Sequence, residues 1–504
     1  MLSLSFSLLA RSLSAELTID VSHLEGLDGR LLHPELHVVH RWVQSGIGVF
    51  QGAAVEVGEL LLKDDRVSLR DGYRRRCSSL THIHRSRTRY VPPDVRLTGP
   101  VTTQMGAGIT KQFWISLEVP GDAAAGTYRG FVVAREGDAT ILKLEIVVEV
   151  LPIALLEPKQ DLMLWYRGTL NCHHPQHYVS AAILEVQLRD IYRHGFRSIS
   201  LWETDPAQMQ RAVDIAQTAG FHGNVMLDSY SEHMWSKVDF GRLTPVAYVS
   251  DKLDAAPASE IDGHIARFDS AHAAGVVTMA SVQQWQSRRQ FSALGTSGDE
   301  PDIVCVYAPA NLAQLELNAA GKSAQDRATY YYWQAHMEKP LVHRLLAGVL
   351  FWKSGAEGIS PYCYQHLPGT PWSPFDDFDA WEPVTHKDPD GRVYRDHMTT
   401  YPARKGVIPT VQWKGMADGL TDFRYMVTLD AALVRAERSA DAGSRVEAAE
   451  IRRRLVSVSN AIPWTGVDIL SSSNPIAFPG VGGRELHAMR VGLMKDLIEL
   501  LKAE

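Results

Sequence analysis

Two hydrophobic periods divide this chain. Up to about residue 155, apolar and polar residues alternate in short runs (Glu16–Val21, Leu36–Trp42, Phe113–Val119, Tyr128–Ala134 and Leu142–Leu151), separated by Gly, Pro and Asp. A period of two broken by turn formers predicts half-buried strands and an all-β unit. Met1–Ala15 fits the same reading, because Leu2, Leu4, Phe6 and Leu8 alternate. A cleaved leader would carry a basic start and an unbroken apolar stretch, and Arg11 interrupts this one. Prolines at both ends of the stretch 151–158 mark a linker. From Asp161 the pattern changes to apolar runs of strand length alternating with amphipathic stretches of period 3.6. The expected strands are Leu162–Tyr166, Ser198–Trp202, Asn224–Leu227, Val246–Ser250, Val276–Ser281, Ile303–Tyr307, Ala328–Trp333 and Gly358–Tyr362, with helices such as Ser180–His194, Pro206–Ala219 and Ile261–Ala274 between them. Strands alternating with helices build a parallel sheet, and this count is the one a closed (β/α)₈ barrel needs. Helical periodicity over Gln412–Arg438, Arg445–Ser459 and Glu485–Lys502 completes the chain. The expected division is an all-β domain over 1–155, a TIM-like barrel over 156–400 and a helical segment over 401–504.

Composition narrows the function classes. With 504 residues, 45% of them hydrophobic and 22% charged, the chain has the material for two or three packed domains. The net charge of −7, with Arg74–Arg76 as a short basic run, argues against a nucleic-acid surface. A run of 18 apolar residues is absent from the sequence, so no membrane span is expected. Cys77, Cys172, Cys305 and Cys363 are scattered without metal-type spacing and do not fix a compartment. His82-x-His84 and Cys172-His173-His174 are the nearest approach to a ligand set. Loop histidines are more often ordinary polar contacts, so neither a metal nor a cofactor is expected. The sequence also lacks a Walker loop, a dinucleotide-binding glycine turn and a nucleophile elbow.

In such a barrel the residues at the C-terminal ends of the strands meet at one mouth. In chain order these are Trp165, Tyr166 and Arg167; Trp202, Glu203 and Asp205; Asp228 and Tyr230; and Tyr248, Asp251 and Asp254. Then come Ser281 and Gln283; Tyr307 and Asn311; Trp333 and His336; and Tyr364, Gln365 and His366, with Trp372 beyond. Aromatic faces interleaved with carboxylates suit a carbohydrate, whose C–H faces stack on rings while its hydroxyls take hydrogen bonds. Glycosidic cleavage needs two carboxyl functions, and Glu203, Asp228 and Asp251 are the candidates. The bland alternative for Glu203 is a cap or ion pair beside the helix that starts at Pro206. The expected binding surface is Trp165, Tyr166, Trp202, Tyr248, Tyr307, Tyr364, His366 and Trp372.

The stretch from Arg344 to Leu429 reads R-L-L-A-G-V-L-F-W-K-S-G-A-E-G-I-S-P-Y-C-Y-Q-H, then an aromatic, acidic loop, then Y-P-A-R and W-K-G-M-A-D-G-L-T-D-F-R-Y-M. In order and spacing this resembles the closing segment of glycoside hydrolase family 123, and V-P-G-D-A-A-A-G-T-Y-R-G resembles a turn in that group's N-terminal β-sandwich. The resemblance implies a β-sandwich, a (β/α)₈ barrel and a helical tail. It also implies cleavage of a β-N-acetylgalactosaminide, with the substrate's own acetamido group attacking. The family pair is an adjacent Asp-Glu after the fourth strand, in Tyr-x-x-Asp-Glu-Pro, where Asp orients the acetamido group and Glu transfers the proton. Here the words are Tyr248-Val249-Ser250-Asp251-Lys252. Asp251 matches the first position, and Lys252 stands where the acid belongs. An ammonium with an ordinary pKa of about 10.4 is a poor proton donor near neutrality. A literal Asp299-Glu300-Pro301 precedes the sixth strand and is expected at the opposite, stabilising face. The leading expectation is a carbohydrate-active hydrolase. Its rivals are an inactive glycan-binding protein on the same fold and a different sugar reaction using Glu203 or Asp228.

Overall fold

The computed structural model describes residues 1–11, 16–45, 50–51, 54–65, 82–84, 89–91, 94–172, 177–282, 301–307, 328–333, 339–366, 393–394, 397–462 and 482–503. In the N-terminal region, Leu2–Leu9, Thr110–Leu117, Glu35–Ser45 and Ala54–Leu62 form a four-stranded antiparallel sheet in that spatial order. A second sheet contains Val101–Gln104, Glu16–Val21, Gly126–Glu136 and Ala139–Val150, with two short strands beside them. Ile19 and Val132 from one sheet and Val38, Leu60 and Phe113 from the other share one buried core, so the two sheets form a sandwich. Phe6 stacks on Phe113 at 5.2 Å and Leu8 packs against the same core, whereas Leu4 is exposed.

The eight expected barrel strands are all present: β1 (Asp161–Leu164), β2 (Ser198–Leu201), β3 (Asn224–Asp228), β4 (Thr244–Ser250), β5 (Val277–Val282), β6 (Ile303–Tyr307), β7 (Ala328–Tyr332) and β8 (Gly358–Ile359). They pair in parallel and close, with β8 returning to β1. Among the described residues, the helices of six residues or more are α1 (Ala181–Arg193), α2 (Pro206–Ala219), α3 (Ala258–Ala273), α4 (Pro340–Ala347), α5 (Val349–Ser354), α6 (Val411–Glu437), α7 (Ala442–Ala461) and α8 (Gly483–Ala503). Their starts are chemically specified. Ser180, Asp205 and Thr410 each accept a hydrogen bond from the backbone N–H three residues on, satisfying donors the helix leaves free. Asp205 is therefore the cap of α2. Alternation along the strands sorts their side chains. Met163, Met226, Val246, Met279, Ile303 and Cys305 fill the barrel interior, while Leu164, Ile199, Val225, Val249 and Val304 pack outward on the helices. At the barrel floor Asp161 closes a polar plug, accepting hydrogen bonds from Ser198, from Asn224 Nδ2 at 2.7 Å and from the Tyr330 hydroxyl at 2.9 Å.

The C-terminal helices pack on the barrel through α6. In its W-K-G-M-A-D-G-L-T-D-F segment, Trp413, Gly415, Gly419 and Asp422 serve packing. Trp413 is fully buried, stacked on His194 and Phe196 at 4.4 and 5.7 Å, with its indole N–H on Asp190 at 3.0 Å. Asp422 accepts from Arg344 Nε at 2.6 Å and Arg490 Nε at 2.5 Å, tying α4, α6 and α8 together. Gly415 and Gly419 let α4 approach. A Cβ at these positions would lie 2.2 Å from the Pro340 carbonyl oxygen and 2.4 Å from that of Arg344. The hairpin Thr400–Ala403 and Gly406–Pro409 sends Tyr401 and Ile408 into the sandwich core, so the chain near residue 400 joins sandwich to helices. Among the described residues no helix is long and apolar enough to cross a membrane.

Candidate active site

The upper end of the barrel is built from the inward row of each strand. Trp165 continues the inward set from Met163 on β1, and around it stand Trp202 (stacked, 5.6 Å), Tyr248 (edge-on, 4.9 Å) and Tyr362 (edge-on, 5.5 Å). The Arg167 guanidinium lies 4.6 Å from the centre of the Trp202 ring, a cation–π contact. Tyr307 and Tyr332, ends of β6 and β7, pair at 5.2 Å. The Trp165 indole N–H and the Arg167 Nε are buried donors with no hydrogen-bond partner among the described residues. Such donors are costly unless something at the mouth accepts from them.

Asp251 stands above this floor. The β4–β5 ladder shifts register between Tyr248 and Ser250, and Lys252 takes a left-handed conformation (φ 53°, ψ 51°), so the strand bends as it delivers its last residues. Ser281 on β5 donates to Asp251 Oδ1 at 2.7 Å and accepts from the Lys252 backbone N–H at 2.9 Å. The Tyr248 hydroxyl lies 2.8 Å from Ser281 Oγ and 3.0 Å from Asp251 Oδ1. Burial, reinforced by the Asp251 carboxylate, pushes the Tyr248 phenol far above its usual range, so it keeps its proton and acts as a donor. Two hydroxyls thus fix one oxygen, Oδ1, of an exposed carboxylate. Asp228, on the neighbouring strand and in register with Tyr248, is exposed and has no partner among the described residues. Ser229 after it also has a positive φ of 39°. Non-glycine residues in this region are uncommon, and here two follow adjacent strands at one mouth.

The other sequence candidates separate. Glu203 is 6% exposed, and both its oxygens are engaged, by Thr169 Oγ1 at 2.8 Å and the Leu170 N–H at 2.6 Å. Desolvation pushes its carboxyl up, against those two hydrogen bonds. It anchors the loop after β1, and the cap of the helix at Pro206 is Asp205 instead. Tyr166 and Tyr364 are corrected. Strand alternation turns Tyr166 outward, where its hydroxyl reaches Gln187 of α1 at 2.5 Å. Tyr364 is likewise buried in the helix layer, its hydroxyl on Asp190 at 2.8 Å. Neither can line the mouth. The backbone of His366 pairs with His397. The His366 side chain, Trp372, His173, His174, Gln283, Asp299, Glu300, Asn311 and His336 lie outside the described residues. Ser281 and Tyr362 are the site residues that strand-end reading undervalued. Alternation from Met279 places Ser281 inward, but nothing local marks it as the holder of Asp251.

Comparison with solved structures decides the fold. A family 123 glycoside hydrolase from Clostridium perfringens, studied for glycolipid glycan hydrolysis, superposes over 99% of this chain and 91% of its own, with a TM-score of 0.58 at 10% identity. This chain has the family 123 fold. A family 39 glycoside hydrolase from Bacteroides cellulosilyticus WH2 aligns more loosely (TM-score 0.35, 9% identity, 65% of this chain and 75% of that one). So does an endo-β-1,4-mannanase from Thermotoga petrophila (TM-score 0.31, 8% identity, 53% and 76%). No protein-family model matches the sequence, and no curated protein does. Among the described residues no group of three or more His, Cys, Asp or Glu is placed to hold a metal ion.

Proposed function

We propose that this protein is a glycoside hydrolase acting on a glycan or oligosaccharide at the upper end of its barrel. The observation that carries the reading is Asp251, an exposed carboxylate pinned by Tyr248 and Ser281 above the Trp165–Trp202–Tyr362 floor. A carboxylate whose one oxygen sits against two fixed hydroxyls is held in a single orientation. It can orient a substrate acetamido group or stabilise positive charge growing at the anomeric carbon. The aromatic floor supplies the stacking surface, and the unpartnered donors of Trp165 and Arg167 supply hydrogen bonds to sugar oxygens.

The proton has to move through a second group. Lys252 occupies the position of the family's acid, and Glu203 is committed to the β1 loop. Asp228 is the carboxyl best placed: neighbouring strands lie about 4.8 Å apart, and Asp228 has no competing partner among the described residues. In this assignment Asp228 protonates the leaving oxygen as the anomeric C–O bond breaks. It then takes a proton from the water whose oxygen bonds to that carbon. The substrate assignment follows the family resemblance, a β-linked N-acetylgalactosaminide.

Turnover of a panel of aryl glycosides, N-acetylgalactosaminides included, tests both parts. Asp251→Asn and Asp228→Asn should each lower kcat by about 10²-fold or more, with unchanged circular dichroism. Parental turnover indifferent to Asp251→Asn would overturn the site. An inert parent that gains N-acetylgalactosaminidase activity through Lys252→Glu would instead establish a silent glycan-binding protein, because one restored carboxyl would then be all the chemistry lacked.

A further inference from the structure

A second polar cavity, of about 170 Å³, lies far from the barrel mouth, between the sandwich, the C-terminal end of α1 and the first turn of α6. Leu36, Val38 and Ile115 point into the sandwich core, so His37 and Ser116, alternating with them, point to the opposite face of the four-stranded sheet and into this cavity. Both are 4% exposed, and among the described residues neither His37 Nδ1 nor Ser116 Oγ has a hydrogen-bond partner. Lys414 of α6 enters from the other side, also 4% exposed, with its ammonium 3.2 Å from His194 Nε2. Lys63 is 6% exposed and spends one donor on the Leu36 carbonyl at 2.6 Å. Each ammonium has three donors, so both keep donors to spare.

Asp190 and Glu35 oppose the charge of Lys414, and Glu35 that of Lys63, but among the described residues none of these carboxylates hydrogen-bonds either ammonium. Glu118 pairs with Arg193 at 2.9 Å. The Asp190 carboxylate accepts from Tyr364 and Trp413, while the His194 ring bonds to its backbone carbonyl. Glu35 is exposed at the rim, where Arg96 is also exposed. Two buried cations, a buried hydroxyl and a buried ring nitrogen therefore converge on one space. A site of this size and polarity calls for an acceptor-rich occupant, because buried donors left unmatched lose the hydrogen bonds water would give them.

We propose that this cavity binds a small oxyanion of phosphate or sulfate size, held by Lys63 and Lys414 with His37 and Ser116, and that the bound ion ties the sandwich to the barrel. Charge and geometry agree. Burial pushes both lysine ammoniums down and the His37 imidazole well down, the direction a buried anion would reverse. His37 and Ser116 belong to the sandwich and Lys414 to α6, so an occupant bridges the two parts. The site is independent of the glycosidase reading.

The test is calorimetric titration of the full chain with inorganic phosphate and with sulfate at fixed ionic strength in chloride, with thermal unfolding followed in parallel. Saturable binding and a rise in Tm of the parent are expected. Lys414→Met should weaken binding by about tenfold or more, the loss of a charge-assisted hydrogen bond. Ser116→Ala, which removes a side chain with no internal partner, should leave the ion-free Tm unchanged and still weaken binding, so the proposal is tested even if Lys414→Met fails to fold. No heat and no Tm response would show a cavity filled by water alone. Equal responses in parent and both variants would show an unspecific salt effect. Either result overturns the proposal.

Discussion

At the scale of single residues, Ser281 has one proton and gives it to Asp251, while its oxygen receives the Lys252 N–H and faces the Tyr248 hydroxyl. This makes Ser281 a positioning residue. Buried itself, it fixes both the carboxylate and the left-handed turn that carries it. Under the proposed function, Ser281→Ala should lower kcat by about 10- to 100-fold, the worth of a hydrogen bond to a charged group, and leave KM nearly constant. Ser281→Thr, which keeps the hydroxyl, should recover most of the loss. A change confined to KM would contradict the positioning role. Tyr248 makes the same point from the other side, since its protonated phenol is both a wall of the aromatic floor and a donor to the carboxylate system.

At the scale of elements, α6 shows why the words that resemble a hydrolase family need not be chemistry. Gly415 and Gly419 lie inside a 27-residue helix, where glycine normally costs about 1 kcal/mol relative to alanine. A surface helix would gain from Gly→Ala. Here the added Cβ meets backbone oxygen of α4 at 2.2 and 2.4 Å, and a carbonyl in a packed helix cannot swing away as a side-chain end can. Gly419→Ala and Gly415→Ala should therefore destabilise by about 1–3 kcal/mol, the cost of overpacking, measured by urea unfolding. Stabilisation in either variant would mean that α4 and α6 stand further apart than described. Asp422 closes the same junction, 1% exposed between two arginines.

At the scale of the whole molecule, stability depends on carboxyls that burial pushes above their ordinary range, Asp161 at the barrel floor and Asp190 beneath α6. For Asp161 desolvation outweighs the hydrogen bonds from Ser198, Tyr330 and Asn224. A folded-state pKa above the unfolded value means that the native form binds the proton more tightly. The contribution is complete below the unfolded value of about 3.9 and is lost as pH rises through the folded value. Asp161→Asn should therefore flatten the fall in unfolding free energy as pH rises from about 4. Urea melts of parent and variant at several pH values separate this from a constant offset, which would refute it.

The sequence by itself determined the periods. Alternation in the first 155 residues, eight apolar runs spaced by amphipathic helices and the caps at Ser180, Asp205 and Thr410 are local properties, and each element formed near where its pattern lies. It also brought Trp165, Trp202, Asp228, Tyr248 and Asp251 to one end of the barrel, because a strand's exit side follows from chain direction alone. What only the tertiary structure decided is the facing of neighbours one residue apart. Trp165 looks inward and Tyr166 outward because period two flips each side chain, and which face is inside depends on barrel closure. Tertiary structure likewise bound Glu203 to Thr169, joined Ser281 to Asp251 thirty residues away and opened the cavity of His37, Ser116 and Lys414. These contacts link side chains distant in sequence, and no local pattern encodes a partner that only folding brings near.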